Sequence, residues 1–126
     1  MADGDTINVV VATDVSDELI NQLREVSPRL HVERHFPNVP EKTLASAEIL
    51  FTSRTLPKPE QAPNLRWIQL FSAGVNHVAD EPIMQADDVE VTTTSGIHAT
   101  PMSEFCLAMM LAFTYKLPKM LELQAK

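Results

Sequence analysis

Residues 65–77 read LRWIQLFSAGVNH, and this stretch decides the fold. The apolar run at 67–71 predicts a strand, and residues 72–75 predict a turn around Gly74 at its carboxyl end. Residues 76–86 follow and predict a short helix, interrupted by Pro82. A strand that turns at once towards a helix is the unit from which parallel α/β sheets are built.

The same alternation extends towards the N-terminus. Ser16 is followed by two acidic residues, which is typical of a helix N-cap, and Pro28 ends that helix. Three of the nine prolines fall in residues 56–63, which predicts a loop. Upstream strands are predicted over residues 7–12, 30–34 and 49–52, and a second helix over 41–47.

Downstream, residues 89–94 predict a fifth strand. Five strands alternating with helices indicate an α/β fold with a parallel, doubly wound sheet and helices on both faces. A further helix is predicted from Thr100, with Pro101 in its first turn. This helix is apolar nearly all round, so it must be buried on most sides. Residues 116–119 predict a break, and another helix begins at Met120.

Composition excludes several classes of partner. The 126 residues carry 17 acidic and 10 basic side chains, a formal charge of −7, which argues against a nucleic-acid partner. The longest apolar run, residues 105–113, is far short of the roughly 17–25 residues that span a bilayer. The N-terminal residues lack the basic region followed by an apolar stretch that is typical of a secretion signal. We therefore expect a cytoplasmic protein that does not contact a membrane.

Glycine and cysteine are scarce, and their positions are informative. Gly4, Gly74 and Gly96 lie too far apart for a G-x-G-x-x-G or P-loop motif. Cys106 is a single cysteine, which excludes an intrachain disulfide and a cysteine-cluster zinc site. The four histidines lack zincin spacing. The sequence predicts no metal site and no nucleotide-binding fingerprint in this chain.

Candidate ligand-binding residues follow the predicted strands. Ligands bind outside the carboxyl ends of the strands in an open α/β sheet, so Arg54, the 72–75 turn and His98 should cluster. Unpaired N–H groups at the turn favour an anion such as a carboxylate, and Gly74 lets the anion approach. Arg54 is suited to pairing with a carboxylate or phosphate. His98 is suited to hydrogen bonding or acid–base work.

Each candidate also has a purely structural interpretation. Gly74 can serve only as a strand-to-helix turn, and Arg54 can be a solvated loop residue. His98 can be a helix-entry residue bonded to backbone. His31 and His35 flank an exposed strand and are expected on the surface, as is His77.

Three segments resemble the D-isomer-specific 2-hydroxyacid dehydrogenases. They are residues 65–77, 89–98 and 101–105, and Lys116 and Pro118 fit the basic residue and proline that follow the family's aliphatic run. The resemblance covers essentially the whole chain and is strongest from 65 to 118. It implies a flavodoxin-like substrate-binding domain with five parallel strands.

The resemblance also implies roles for individual residues. In this family the backbone amides of the S-A-G-V loop hold the substrate carboxylate, which corresponds to Ala73, Gly74 and Val75 with Ser72 beside them. A substrate-contacting arginine of phosphoglycerate dehydrogenase relatives corresponds to Thr52. Arg54 lies two residues on, and we expect it on the same strand face. No family role transfers to Asn76 or His98.

By this resemblance, the catalytic residues and the NAD-binding motif of the family are expected in a second domain that residues 1–126 do not include. We therefore expect residues 1–99 to be the substrate-binding domain, and residues 100–126 a crossover helix leading into a missing NAD(P)-binding domain. The parent enzyme would transfer hydride between NAD or NADP and a small 2-oxo or 2-hydroxy acid. This fragment is expected to contain no catalytic residue, to bind no cofactor and to be inactive. Its bare helix, residues 101–123, predicts a homodimer or swapped oligomer.

Two other classes stay open. A flavodoxin-like binding or signalling module of the receiver type would need an acidic pair after the first strand and a lysine after the fifth. Asp14 stands alone, and no lysine follows Val91 before the predicted helix. A corepressor-type member of the same superfamily would keep the fold and act through partners without dehydrogenase activity.

Overall fold

The computed structural model describes residues 6–125, which divide between Thr94 and Ser95 into two compact units. The first unit contains five strands and two α-helices, and the second contains two α-helices. The elements are β1 (Ile7–Ala12), α1 (Asp17–Glu25), β2 (Leu30–Arg34), α2 (Glu41–Ser46), β3 (Ile49–Thr52), β4 (Trp67–Leu70), β5 (Glu90–Thr92), α3 (Ala99–Thr114) and α4 (Leu117–Gln124). Short 3-10 helices occupy Pro59–Gln61 and Pro82–Gln85.

The five strands form one parallel sheet in the order β2-β1-β3-β4-β5. This is the flavodoxin-like order, and it confirms the predicted α/β class. In the register, Val10 of β1 lies between Glu33 of β2 and Leu50 of β3. Strands are added to one side of β1 at β2 and to the other side from β3 onward, so the switch point of the sheet lies between β1 and β3.

The handedness of the crossovers assigns the helices to faces. The step from β1 to β2 runs in one direction along the sheet, and every later step runs in the other. Because parallel crossovers are right-handed, α1 covers one face and the later connections cover the opposite face. The predicted helices on both faces are therefore present in α1 and α2.

The larger core lies on the α2 side of the sheet. Leu50, Ile68 and Leu70 are fully buried there, and Ile83 of the second 3-10 helix packs in the same cluster. The smaller core lies under α1. Its buried members are Val9, Val11, Ile20 and Val32.

Several predicted boundaries differ from the structure, besides shifts of one residue at the ends of β4 and α2. Residues 76–86 form turns and the 3-10 helix Pro82–Gln85, because proline permits no continuous helix there. β5 ends at Thr92, since Thr94 bonds to the loop after β4 instead of extending the ladder. Helix α3 begins at Ala99, and Pro101 is accommodated because first-turn N–H groups have no intrahelical partner.

The break between α3 and α4 is shorter than predicted. α4 begins at Leu117 instead of Met120. Lys116 takes a left-handed conformation with φ of 53°, which is the usual way for a helix to end. The amide of Lys116 donates to the carbonyl of Phe113 at 3.1 Å, so one turn suffices to separate the helices.

Helix α3 is exposed along nearly its whole length. Phe105, Met110 and Phe113 are 62%, 64% and 76% exposed. Only Ala112 of its sixteen residues is partly buried. The expectation that this apolar helix is buried on most sides is thus not met within the single chain. Across residues 6–125, no helix is long and apolar enough to cross a membrane.

Candidate carboxylate-binding site

The loop after β4 carries backbone N–H groups without partners. Strand β4 ends at Leu70, and the amide of Phe71 still donates to the carbonyl of Thr52 at 2.8 Å. From that point the ladder stops. Within residues 6–125, the amides of Ser72, Ala73, Gly74 and Val75 donate no hydrogen bond. Four consecutive donors are therefore available at the carboxyl edge of the sheet.

The carbonyl groups of the same loop are largely occupied. Thr94 donates from its hydroxyl to the carbonyl of Phe71 at 2.6 Å and from its amide to that of Ser72 at 3.1 Å. The Ser72 hydroxyl donates to the carbonyl of Gly74 at 2.8 Å. The carbonyl of Val75 accepts from Val78 at 2.9 Å. With acceptors occupied and donors available, the loop favours a ligand that only accepts hydrogen bonds, such as a carboxylate.

Gly74 is exposed, and open space lies beside it. A Cβ built on Gly74 meets nothing within 4 Å. Its φ also lies outside the left-handed region, where only Gly96 among the described glycines is found. Neither crowding nor backbone conformation therefore requires glycine at position 74.

A histidine ties the β4 loop to the β3 loop. The ring Nε2 of His77 lies 2.8 Å from the carbonyl oxygen of Ser53. A carbonyl only accepts, so this nitrogen carries the proton and donates. His77 is exposed, as the sequence indicated, but its side chain has a defined partner. The bond holds the loop after β4 next to Ser53, the residue that directly follows β3.

The β1 loop joins the same arrangement. The hydroxyl oxygens of Thr13 and Ser53 lie 3.0 Å apart and share a hydrogen bond. Thr13 is buried and Ser53 half-buried. Thr13 and Ser53 follow the two strands that flank the switch point, where ligands of doubly wound sheets bind. The candidate site is thus framed by the loops after β1, β3 and β4.

Arg54 and Thr52 do not share a strand face. β3 ends at Thr52, whose side chain is fully buried. Its hydroxyl accepts from the amide of Thr55 at 3.0 Å and lies 3.1 Å from the Thr55 carbonyl, so it closes a turn. Arg54 lies within that turn and is exposed. Thr52 and Arg54 do not point to the same strand face, because the strand ends before Arg54. The Arg54 guanidinium is nevertheless exposed and available for an anion.

His98 belongs to the second unit. It is the N-cap of α3, is exposed, and makes no side-chain capping bond. The expected cluster of Arg54, the 72–75 turn and His98 therefore has its first two members within the first unit. A role for His98 in ligand binding stays a prediction, as do the roles of Ser72, Ala73, Gly74, Val75 and Arg54.

Sequence reasoning overlooked Thr13, Thr94 and the bond between His77 and Ser53. Thr13 and Ser53 are the residues after β1 and β3, so the strand order alone points to them once it is known. Thr94 had been assigned to a strand, and the bond made by His77 spans 24 residues. In the part of the chain that is described, no three histidine, cysteine or acidic side chains form a group that could hold a metal ion.

Comparison with known proteins shows a likeness to a solved dehydrogenase structure. A solved phosphoglycerate dehydrogenase from Lactobacillus plantarum is 28% identical to the chain and superposes over 84% of it with a TM-score of 0.56. The chain spans about a third (34%) of that protein's length. No family model and no curated protein matches the chain. The chain is therefore similar to part of a dehydrogenase of the family that its sequence resembles.

Proposed function

We propose that the chain is the substrate-binding part of an NAD(P)-dependent D-2-hydroxyacid dehydrogenase. Its ligand would be the carboxylate of a small 2-oxo or 2-hydroxy acid, held by the amides of residues 72–75. The observation that carries this proposal is the set of four N–H groups without partners beside occupied carbonyls. Similarity to the Lactobacillus plantarum phosphoglycerate dehydrogenase supports the class of reaction.

In this proposal the chain binds and orients the substrate. Two or three charge-assisted bonds from main-chain amides fix the carboxylate, and each contributes about 1.5–3 kcal/mol in a partly dry site. The tie between His77 and Ser53 keeps the Arg54 turn beside the amide loop. Arg54 then supplies a positive charge for the same acid or for a second anionic group on it.

The nicotinamide cofactor supplies or takes up hydride when it is bound. Residues of this chain do not fit it, because Gly4, Gly74 and Gly96 are too far apart to form a phosphate-binding turn. We place the cofactor, together with the arginine and the histidine–carboxylate pair that the family uses, in another part of a longer enzyme. This chain would form one wall of the cleft.

The Gly74→Ala variant tests the amide loop. Because a Cβ at position 74 meets no protein atom within 4 Å, the fold should be unchanged. The added methyl would occupy the path of the carboxylate. We expect the affinity for hydroxypyruvate to fall at least tenfold, equivalent to about 1.4 kcal/mol. Ligand-observed NMR titration measures this, and circular dichroism checks the fold.

The control is Asn38→Ala, at an exposed position in the β2–α2 loop outside the candidate site. It should leave the affinity for hydroxypyruvate unchanged. If Gly74→Ala binds the acid as well as the parent sequence does, the carboxylate is not held by this loop and the proposal fails.

A further inference from the structure

His77 joins the two loops that carry the candidate site in the first unit. Its ring Nε2–H donates to the carbonyl of Ser53 at 2.8 Å, and Arg54 is the next residue along the chain. His77 itself comes two residues after the free amides of residues 72–75. In the described part of the chain, no other hydrogen bond joins these two loops beyond the end of the sheet ladder. The distance between the guanidinium and the amides therefore depends on this bond.

The backbone at His77 is held in place by the larger core. The amide of Val78 donates to the carbonyl of Val75 at 2.9 Å, which closes a turn around His77. Val78 is buried in that core, and Val75 packs against the same cluster. His77 lies between these two apolar residues and is itself exposed. Because both ends of the turn are fixed, the imidazole reaches Ser53 from a defined position.

Arg54 has no side-chain contact of its own to hold it in place. Within residues 6–125, its guanidinium makes no hydrogen bond and no ion pair. The turn that contains it is closed by the buried Thr52 hydroxyl, and the Ser53 hydroxyl shares a hydrogen bond with Thr13 at 3.0 Å. Arg54 is therefore positioned through its backbone, and the bond from His77 is what connects that backbone to the amide loop.

The bond from His77 does not require a particular charge on the imidazole ring. The carbonyl of Ser53 only accepts, so Nε2 carries a proton both in the neutral ring and in the imidazolium. A glutamine side chain also offers an N–H donor near this distance from the backbone, whereas leucine has a similar size and no donor. The donor can therefore be removed, or kept, by a single substitution at position 77.

We propose that His77 is a positioning residue of the carboxylate site, which holds the Arg54 turn beside the amides of residues 72–75 so that both contact one acid. This inference rests on the proposed function. His77 itself does not touch the ligand in this account. It acts through Ser53 and Arg54, so its effect on affinity should disappear when the guanidinium is removed.

Two substitutions of His77 test the role of its donor. The position is exposed, so both variants should fold, which circular dichroism checks. We expect His77→Leu to bind hydroxypyruvate about three- to tenfold more weakly in an NMR titration, and His77→Gln to bind it within about twofold of the parent sequence. His31→Leu makes the same change at an exposed residue of β2 outside the candidate site, and it should leave the affinity unchanged.

A double-mutant cycle with Arg54→Ala separates positioning from a general structural effect. We expect His77→Leu to cost no further affinity once Arg54 is replaced by alanine. Additive losses, a His77→Leu or Arg54→Ala variant that binds as well as the parent sequence, or a His77→Gln variant as weak as His77→Leu would each overturn the inference and leave the amide loop unaffected. A parent sequence that does not bind hydroxypyruvate contradicts the proposed function, and this inference with it.

Discussion

Glu33 is a carboxylate whose charged form the fold favours. A hydrogen bond from His35, 2.9 Å from Glu33, lowers the pKa of Glu33 below its ordinary 4.5, although partial burial opposes the shift. His31, at 3.8 Å, adds a smaller electrostatic contribution in the same direction. The pKa of Glu33 is lower in the folded protein than in the unfolded chain. The hydrogen bond with His35 therefore stabilises the fold above the unfolded pKa of Glu33, and this contribution is lost as the pH falls through its folded pKa.

We predict that Glu33→Gln destabilises the protein slightly at pH 6 and not at pH 3. The loss should be at most about 0.5 kcal/mol, since the side chain is 42% exposed and solvent screens the pair. Urea denaturation at the two pH values measures it. If Glu33→Gln lowers the free energy of unfolding more at pH 3 than at pH 6, the pKa of Glu33 is not depressed by folding and the prediction is wrong.

At the scale of single residues, the sequence pointed to residues 72–75 as a candidate anion-binding loop but not to the hydrogen bonds around it. Ser72–Ala73–Gly74–Val75 could be recognised because a glycine turn directly follows an apolar strand. The bonds of Ser53 to Thr13 and His77 cross 40 and 24 residues of sequence. No local pattern encodes such distant partners, so they emerge only from the strand order.

At the scale of elements, Lys116 carries a conformational cost at the α3–α4 junction. Its φ of 53° lies in the left-handed region, where a Cβ costs roughly 1 kcal/mol and glycine is favoured. We predict that Lys116→Gly raises the thermal stability of the helical signal, followed by circular dichroism.

Lys119→Gly is the matched comparison for Lys116→Gly. It removes the same charge from the first turn of α4, together with the ion pair to Glu122 at 2.8 Å. It should destabilise the helix by up to about 1 kcal/mol, because glycine loses more backbone freedom than lysine on entering a helix. If Lys116→Gly and Lys119→Gly change the thermal stability equally, the left-handed conformation of Lys116 carries no specific conformational cost.

Strands were predicted more accurately than connections, for a physical reason. β1, β2 and β3 match their predicted bounds because apolar and β-branched runs between polar turns define them. Residues 76–86 were predicted as a short helix interrupted by Pro82, whereas they form turns followed by the 3-10 helix Pro82–Gln85. Tertiary hydrogen bonds from Thr94 set the end of β5, and these were invisible in the sequence.

At the scale of the molecule, the alternation of elements predicted the sheet, and the family resemblance supplied its flavodoxin-like character. Neither showed that Trp67 and Phe71, at β4, would stay partly exposed, since the cover over each strand depends on the direction of each crossover. Within residues 6–125, the apolar cavity between α1 and β4 and the exposed helix α3 are two apolar surfaces.

We predict that this chain alone oxidises neither NADH nor NADPH in the presence of glyoxylate or hydroxypyruvate. The proposed function assigns it a carboxylate-binding loop and no hydride donor site. Nicotinamide absorbance over time is the measurement, with a complete D-2-hydroxyacid dehydrogenase as positive control. Sustained turnover that co-purifies with the chain would contradict the assignment.

The most direct test is an amide NMR titration of the isotope-labelled chain with glyoxylate. The account predicts saturable shifts of the Ser72, Ala73, Gly74 and Val75 amides, all following one binding curve. The same titration with the uncharged amide of the acid should give none. If glyoxylate leaves these four signals unmoved while others shift, the carboxylate binds elsewhere and the account is contradicted.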